Sequence, residues 1–559
     1  RKLKGVITSE EKKFWKFISQ SAYLNKERIE LDKRLLTNFY KNNGYYNVQI
    51  KDSFVEFKND GSFKLIFNIN SGDIFKFNKL NLVLSEDYDK KYFTKIDKSL
   101  NKLEGEEYSL DKIEKVLREV DKIALTKQYE FIDAALTEKI IGNDKLNITI
   151  ALVDTEKFYV EKINILGNSY TLEEVIRNAF IVDEGDPYNE ILFNKSINNI
   201  KAKNIFAKVK PTVLPGSSSN LKIIDLNVEE KPTGEITLGA GIGTSGGTIG
   251  GGIKENNFLG KGIGLNTNLQ FTNNSVKGKF IYEKPNFNYT DNTLYTAVKS
   301  TSSDNLKDFG YKTSDIGISF GTSFEQYENL YFSPTIDTAY EKLETTGTAT
   351  ANLKKQEGNY FDTYFNYSLA YDLRNRNYRP DEGFKNTFYQ EIPLVSDNYE
   401  IINSFESSRY QKISSMVTKI SFFGKTVSTL NNEDVRISKR LFMPSNKLRG
   451  FEAGKIGPFD NGDYVGGNYI SSVNFNATLP KLLPDFQNTD FSFFVDAANA
   501  WGVDYDSEIN DSNKIRSSTG VAIDILTPIG PLNFSLSQPI TKKSTDETET
   551  FRFNLGTTF

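Results

Sequence analysis

From about Thr233 to Phe559 the chain repeats one pattern: short runs with apolar residues at every second position, separated by Gly, Asn, Asp and Ser. Such alternation places successive side chains on opposite faces of a strand, one apolar and one polar. The first run sets Ile236, Leu238, Ala240 and Ile242 against Glu235, Thr237, Gly239 and Gly241. Similar runs recur at 263–269, 279–282, 316–320, 365–371, 417–423, 491–495 and 551–559. In the last, Phe551, Phe553, Leu555 and Phe559 share a face opposite Arg552, Asn554 and Thr558. About 327 residues at roughly 20 per strand and loop predict an antiparallel β-barrel of about 16 strands, an even number as in single-chain bacterial membrane barrels. A soluble β-sandwich is the alternative. The length, the abundant Tyr and Phe suited to interfacial girdles, and an aromatic final residue favour the membrane barrel.

Closure of the barrel would pair the first run with the last. Glycines between Gly234 and Gly264 follow no nucleotide-loop spacing, and no Gly-Lys-Ser/Thr appears. Their effect is mechanical, because Gly weakens a strand and leaves no side chain to pack. The seam formed by Ile236, Leu238, Ala240 and Ile242 with Phe551, Phe553, Leu555 and Phe559 is therefore expected to be weak and able to open sideways into a bilayer.

Residues 1–231 read differently, as helical stripes alternating with strands. Leu24, Leu31, Leu35 and Phe39 form one stripe, and Asn43-Gly44 ends that helix. Alternation at Tyr46–Ile50 and Phe63–Ile69 follows. The joints Ser71-Gly72-Asp73-Ile74-Phe75 and Asp154-Thr155-Glu156-Lys157-Phe158 recur at a period of roughly 75 to 85 residues, the signature of an array of like domains. The predicted boundaries are 1–73, 74–155, 156–231 and a barrel at 232–559, an α+β array ahead of a β-barrel. The first domain lacks an obvious opening strand, and Arg1 stands where a start methionine would. The expectation is a chain cut within the array, its export signal removed upstream.

Composition removes whole classes of chemistry. There is no Cys and no His, hence no thiol nucleophile, no imidazole base and no Cys/His metal site. Carboxylate-only catalysis would need a clustered acid pair, and none stands out, so neither an enzyme nor a cofactor is expected. A net charge of −4 with mixed signs offers no basic surface for nucleic acid. No stretch approaches the ~18 apolar residues of a transmembrane helix.

One stretch breaks the barrel pattern. Leu448-Arg449-Gly450-Phe451 has the character of a loop tip, with Gly450 able to hold a tight turn while the Arg449 guanidinium forks toward a carboxylate. Asp496 is a candidate partner. It shares a strand face with Ser492, opposite Phe491, Phe493 and Val495, and would point into the lumen if the Phe/Val face meets lipid. A solvated external loop is the other reading of Arg449.

This stretch, with Ile456-Gly457-Pro458, resembles the loop signature of BamA-type outer-membrane assembly proteins, a superfamily of POTRA domains followed by a 16-stranded barrel. Phe494-Val495-Asp496 leading to Asn499-Ala500-Trp501, the run Thr527–Phe534, Gln538-Pro539 and the terminal strand resemble it too. The likeness covers the whole chain and is densest over the last hundred or so residues. One position departs: Asn474 stands where the family often has a second acid facing this Arg.

The resemblance implies three POTRA domains in the periplasm, where the family usually carries five, and a barrel in the outer membrane. It implies folding and insertion of β-barrel clients, unfolded outer-membrane proteins as partners, and accessory outer-membrane lipoproteins of an assembly complex. Arg449, Gly450 and Phe451, with Asp496 and Asn474, would pin the loop in the lumen. Siblings of the TamA type or of two-partner secretion, with narrower client sets, are alternatives, as is a passive porin-like channel.

Overall fold

A computed structural model describes residues 3–9, 26–57, 63–84, 88–127, 132–154, 158–243, 246–290, 292–347, 349–376, 379–413, 416–480, 489–506, 508–527 and 530–555. The chain divides into two compact units. One comprises residues 1–168, 179–202 and 206–229; the other comprises 169–178, 203–205 and 230–559.

The first unit begins with α1 (Lys26–Lys41) and the hairpin β1 (Gln49–Phe57) and β2 (Phe63–Asn70). The helical stripe is rotated by one residue from its expected position. Leu36 and Asp32 are buried while Leu31, Leu35 and Phe39 are half-buried, and Leu24 lies outside the described residues. The rotation is possible because the buried Asp32 carboxylate is satisfied, accepting from Thr8 N and Oγ1 at 2.6 and 2.7 Å and from Ser9 N at 3.2 Å.

Next come β3 (Lys76–Leu84), α2 (Lys90–Leu103), α3 (Leu110–Lys127), β4 (Ile132–Ile141) and β5 (Lys145–Asp154), in sheet order β3-β5-β4 with β3 parallel to β5. Alternation explains the centre of this sheet, since Leu146, Ile148, Ile150 and Leu152 are all buried against Phe93, Ile96 and Leu100 of α2 and its neighbours. Asp89 caps α2 by accepting from Lys91 N.

The same plan returns with β6 (Tyr159–Leu166), α4 (Glu173–Arg177), α5 (Glu190–Ala202), β7 (Phe206–Pro215) and β8 (Leu221–Glu230), in order β6-β8-β7 with β6 parallel to β8. A register shift between Val160 and Lys162 lets Val160 and Ile163, three apart, both face the core.

The barrel has sixteen antiparallel strands among the described residues. They are β9 (Gly234–Gly243), β10 (Gly246–Phe258), β11 (Ile263–Thr272), β12 (Ser275–Lys284), β13 (Thr293–Asn305), β14 (Tyr311–Tyr327), β15 (Leu330–Thr345), β16 (Gly358–Asp372), β17 (Gly383–Val395), β18 (Glu400–Ile413) and β19 (Met416–Thr429), then β22 (Tyr469–Pro480), β23 (Thr489–Trp501), β24 (Arg516–Thr527), β25 (Gly530–Thr541) and β26 (Phe551–Leu555). Short helices α6 (Leu306–Phe309) and α7 (Ala351–Lys354) sit in connections. The segment between β19 and β22 carries a two-residue hairpin, β20 (Phe459–Asp460) with β21 (Asp463–Tyr464).

Each expected alternating run falls on one of these strands, the last of them from Phe551 to Leu555, with 556–559 outside the described residues. On β23 Phe493 and Val495 face outward, exposed, while Ser492, Phe494 and Asp496 are buried inside. Ile316, Ile318 and Phe320 on β14 likewise present an apolar outer face. Among the described residues no helix is long and apolar enough to cross a membrane, and the barrel provides the spanning element that hydrogen-bonds its own backbone.

Candidate functional site

The segment between β19 and β22, residues 430–468, reaches strands on opposite sides of the ring. Arg436 meets Asp362 on β16, whereas Arg552 on β26, eight strands away, donates to the Ser445 and Phe451 carbonyls. A segment touching both walls lies inside the barrel. Its apolar residues supply an interior core: Leu448, Phe451 and Ile456 pack with Val427, Ile470 and Ala498 of the wall.

At the tip, Arg449 forks onto Asp496. Nε donates to Oδ2 and Nη2 to Oδ1, both at 2.7 Å, and Arg449 N adds a third bond to Oδ2 at 3.1 Å. Asn474 on β22 stands directly opposite Asp496 in register and donates from Nδ2 to Oδ1 at 2.9 Å and to the Lys447 carbonyl at 2.8 Å. A fully buried carboxylate thus receives four donors and one full positive charge. The amide at 474 suits this arrangement, because a second carboxylate there would meet Asp496 without a second cation. The Arg449 guanidinium lies 3.5 Å from the Phe494 ring centroid, a cation–π stack.

Gly450 follows at φ +87, and a Cβ would come 3.3 Å from Ser518 Cβ and 3.2 Å from Ser537 Cβ, so the backbone passes against β24 and β25 where a side chain would intrude. Ser518 Oγ donates to the Arg449 carbonyl at 2.5 Å. Phe451 is buried in the interior core.

Three residues of this interior were not found from sequence. Phe494 shares the inward face of Asp496, a position visible in the alternation, but its stacking role needs the loop in place. Arg436, buried at the other end of the same segment, is surrounded by Asp362, Glu341 and Glu400 from β16, β15 and β18, with N–O distances of 2.5, 3.6 and 3.7 Å, and stacks on Tyr360 at 4.1 Å. Ser396, Ser438 and the Tyr364 hydroxyl donate to these carboxylates in turn. Arg516, also buried, pairs with Asp511 and Asp546. The available signal was a basic run, Arg436, Lys439 and Arg440 within five residues. Its acidic partners are scattered over three strands whose register the sequence does not reveal.

At the seam the described residues of β9 end at Gly243 and those of β26 at Leu555. β9 and β26 pair at Asn554 with Gly243 and at Leu555 with Ile242, two pairs among the described residues. Of the apolar residues expected there, Ile242 and Leu555 meet across it. Ile236, Leu238 and Ala240 are registered on Ile253, Gly251 and Ile249 of β10, with Leu238 85% exposed on the outer face. Phe551 and Phe553 are registered on Leu536 and Phe534 of β25, and Phe559 lies outside the described residues. β23 and β24 pair over ten consecutive positions.

A barrel of this strand number with a loop folded into its lumen invites comparison with known proteins. The model of the Omp85 superfamily domain matches residues 257–559, more than half of the chain. The chain belongs to the Omp85 superfamily. A second model, the surface antigen variable number repeat of POTRA domains, matches residues 3–72 and 158–231. Among curated relatives of this Omp85 chain, the outer membrane protein assembly factor BamA of Neorickettsia risticii is 23% identical over 567 residues, covering 100% of this chain and 76% of that protein. BamA of Neisseria meningitidis serogroup B is 23% identical over 628 residues with the same coverage. In fold, BamA from Haemophilus ducreyi lacking POTRA domains 1–3 superposes with a TM-score of 0.64 at 22% identity, covering 87% of this chain and all of that one.

Proposed function

We propose that this protein folds and inserts β-barrel proteins into the outer membrane, its barrel resident there and its POTRA domains in the periplasm. The names of its curated relatives, outer membrane protein assembly factors, support the general activity. The observation that supports the mechanism is a first strand with glycine at alternate positions, beside a wall braced from within.

An opened seam leaves β9 with N–H and C=O groups facing a bilayer that offers no hydrogen bonds, at a cost of several kcal/mol per group. An incoming client strand satisfies them by β-augmentation, and its own folding supplies the driving force. The proposed cycle exchanges hydrogen bonds and needs no covalent step. The pin of Arg449, Gly450 and Phe451 on Asp496 and Asn474 holds the rest of the ring in shape while the seam parts. In the periplasm the sheet orders β3-β5-β4 and β6-β8-β7 leave strand edges on which extended client segments and accessory lipoproteins of an assembly complex can dock.

Depletion of the protein in its own cells, followed by mass spectrometry of all outer-membrane barrels, tests the reading. A joint fall of nearly every barrel, with unfolded forms accumulating in the periplasm, is expected. A fall of one or a few proteins with growth continuing would instead identify a translocator with a narrow client set, and a constitutive large ion conductance would identify a channel.

A further inference from the structure

The chain just ahead of the last strand is bonded to the lumenal loop as though the loop were its neighbouring strand. Glu549 N donates to the Gly450 carbonyl at 3.0 Å, Phe451 and Thr548 form an antiparallel bridge, Glu452 N donates to the Glu547 carbonyl at 3.1 Å and Glu547 N to the Lys455 carbonyl at 3.2 Å. Side chains reinforce this ladder. Tyr464 Oη donates to the Thr545 carbonyl at 2.7 Å, and burial together with Glu547 pushes that phenol up to about 12, so it stays a donor. Lys455 pairs with Glu547 at 2.8 Å. Upstream, Arg516 on β24 grips Asp546 through two bonds of 3.0 and 2.8 Å.

The ladder ends at Arg552, on β26 itself. Its Nη1 donates to the Ser445 carbonyl at 3.0 Å, its Nη2 to the Phe451 carbonyl at 2.8 Å and its Nε to Glu549 Oε2 at 2.6 Å. One guanidinium thus spans the loop on both sides of Arg449, six residues apart in sequence.

Strand register is strongly specified only where a buried face or a tight turn demands it. Across the seam β9 is rich in glycine and is joined to β26 by no tight turn, so little of its own side-chain packing fixes the register. We propose that Arg552 is a positioning residue that sets the register of the last strand against the first, with the lumenal loop as the ruler. The position of β26 is then dictated from inside the barrel, by the loop that Arg449 pins to Asp496, and the loop and the seam form one mechanical unit. The seam's part in assembly comes from the function proposed above; the ruler does not depend on it.

The chain contains no cysteine, so engineered pairs report register without background. Gly243→Cys with Asn554→Cys captures the observed register, and Gly241→Cys with Asn554→Cys captures a two-residue slip, each disulfide forming only when the Cα atoms come within about 7 Å. Purified barrel in lipid vesicles, with no client present, is oxidised and the two yields are compared. Arg552→Lys keeps the charge beside Glu549 but loses the planar fork. It is expected to move the ratio of observed to slipped crosslink by about tenfold, the equivalent of one charged hydrogen bond.

Asp496→Asn, which touches neither seam strand, is expected to move the ratio in the same direction, and it decides the matter if Arg552→Lys fails to fold. An unchanged ratio in a folded, heat-modifiable barrel would overturn the ruler. A shifted ratio with client folding unimpaired would support the ruler and count against the seam's role in assembly.

Discussion

Two parts of the same ring are built on opposite terms. Between β23 and β24 the wall has a ladder of ten pairs, an alternating face of Phe and Val outside, and inside a buried carboxylate gripped by a guanidinium, an amide and a backbone N–H. Between β26 and β9 two pairs fall among the described residues. On the β9 side Gly239, Gly241 and Gly243 take the alternate positions that carry side chains elsewhere. The difference teaches that one side of this barrel is braced from the lumen by side chains that the glycines of the first strand do not offer.

The largest expected effect comes from breaking the strong side. Arg449→Ala leaves the fully buried Asp496 uncompensated and should lower stability by ~3–5 kcal/mol, read as a fall in urea midpoint and loss of the heat-modifiable band. Asp496→Ala should cost less, because Arg449 keeps its stack on Phe494 and some access to solvent. An unchanged midpoint for both would mean that the wall does not need the loop.

Arg436→Ala removes the only guanidinium facing Glu341, Asp362 and Glu400 among the described residues, and a loss of about 3 kcal/mol is expected from the stranded carboxylates. Proteolysis of the loop in intact barrels should accelerate in parallel; a protected loop would show that the Arg449 end suffices.

Locking the weak side sharpens the comparison from the other direction. An oxidised Gly243→Cys/Asn554→Cys barrel should insert clients at least about tenfold more slowly, a barrier of ~1.4 kcal/mol or more, and reductant should restore the rate. Wild-type insertion in the oxidised form would remove the seam from the mechanism.

Gly450→Ala imposes a left-handed conformation on an L-residue and presses its methyl on Ser518 and Ser537, for an expected ~1–2 kcal/mol. The smallest effect is assigned to Leu238→Ala, on the outer face of β9, with a change within about 0.5 kcal/mol. A larger loss would mean that the outer face of β9 carries packing that its exposure does not show.

Much of this architecture can be read from residues alone. Period-two alternation from Thr233 onward marks the strands, since lipid outside and polar lumen inside force opposite chemistries on alternate positions. The facing of Asp496 and the freedom of Gly450 follow from the same local rule. What local pattern does not carry is anything set by register between distant strands. Asn474 meets Asp496 through strand pairing. The carboxylates around Arg436 converge from three strands, and Arg552 reaches carbonyls 107 and 101 residues away. The seam is of this kind too: the glycines of β9 are legible, but which residues of β26 they meet depends on where the ring as a whole comes to rest. The rotated stripe of α1 shows the same limit on a smaller scale, because a buried Asp32 reads as solvent-facing until Thr8 and Ser9 are brought to it.

The loop across the lumen also bears on how such a ring can close at all. Joining Gly243 to Asn554 directly closes nearly the whole barrel in one step, and the entropic penalty of closure rises with the length tied off. The loop divides the task. Arg436 finds Asp362 across 74 residues, Arg449 finds Asp496 across 47, and Arg552 finds Ser445 across 107. Each step is shorter than the whole and brings the next pair closer, so the ring can be assembled by successive local captures, with the first strand left to arrive last.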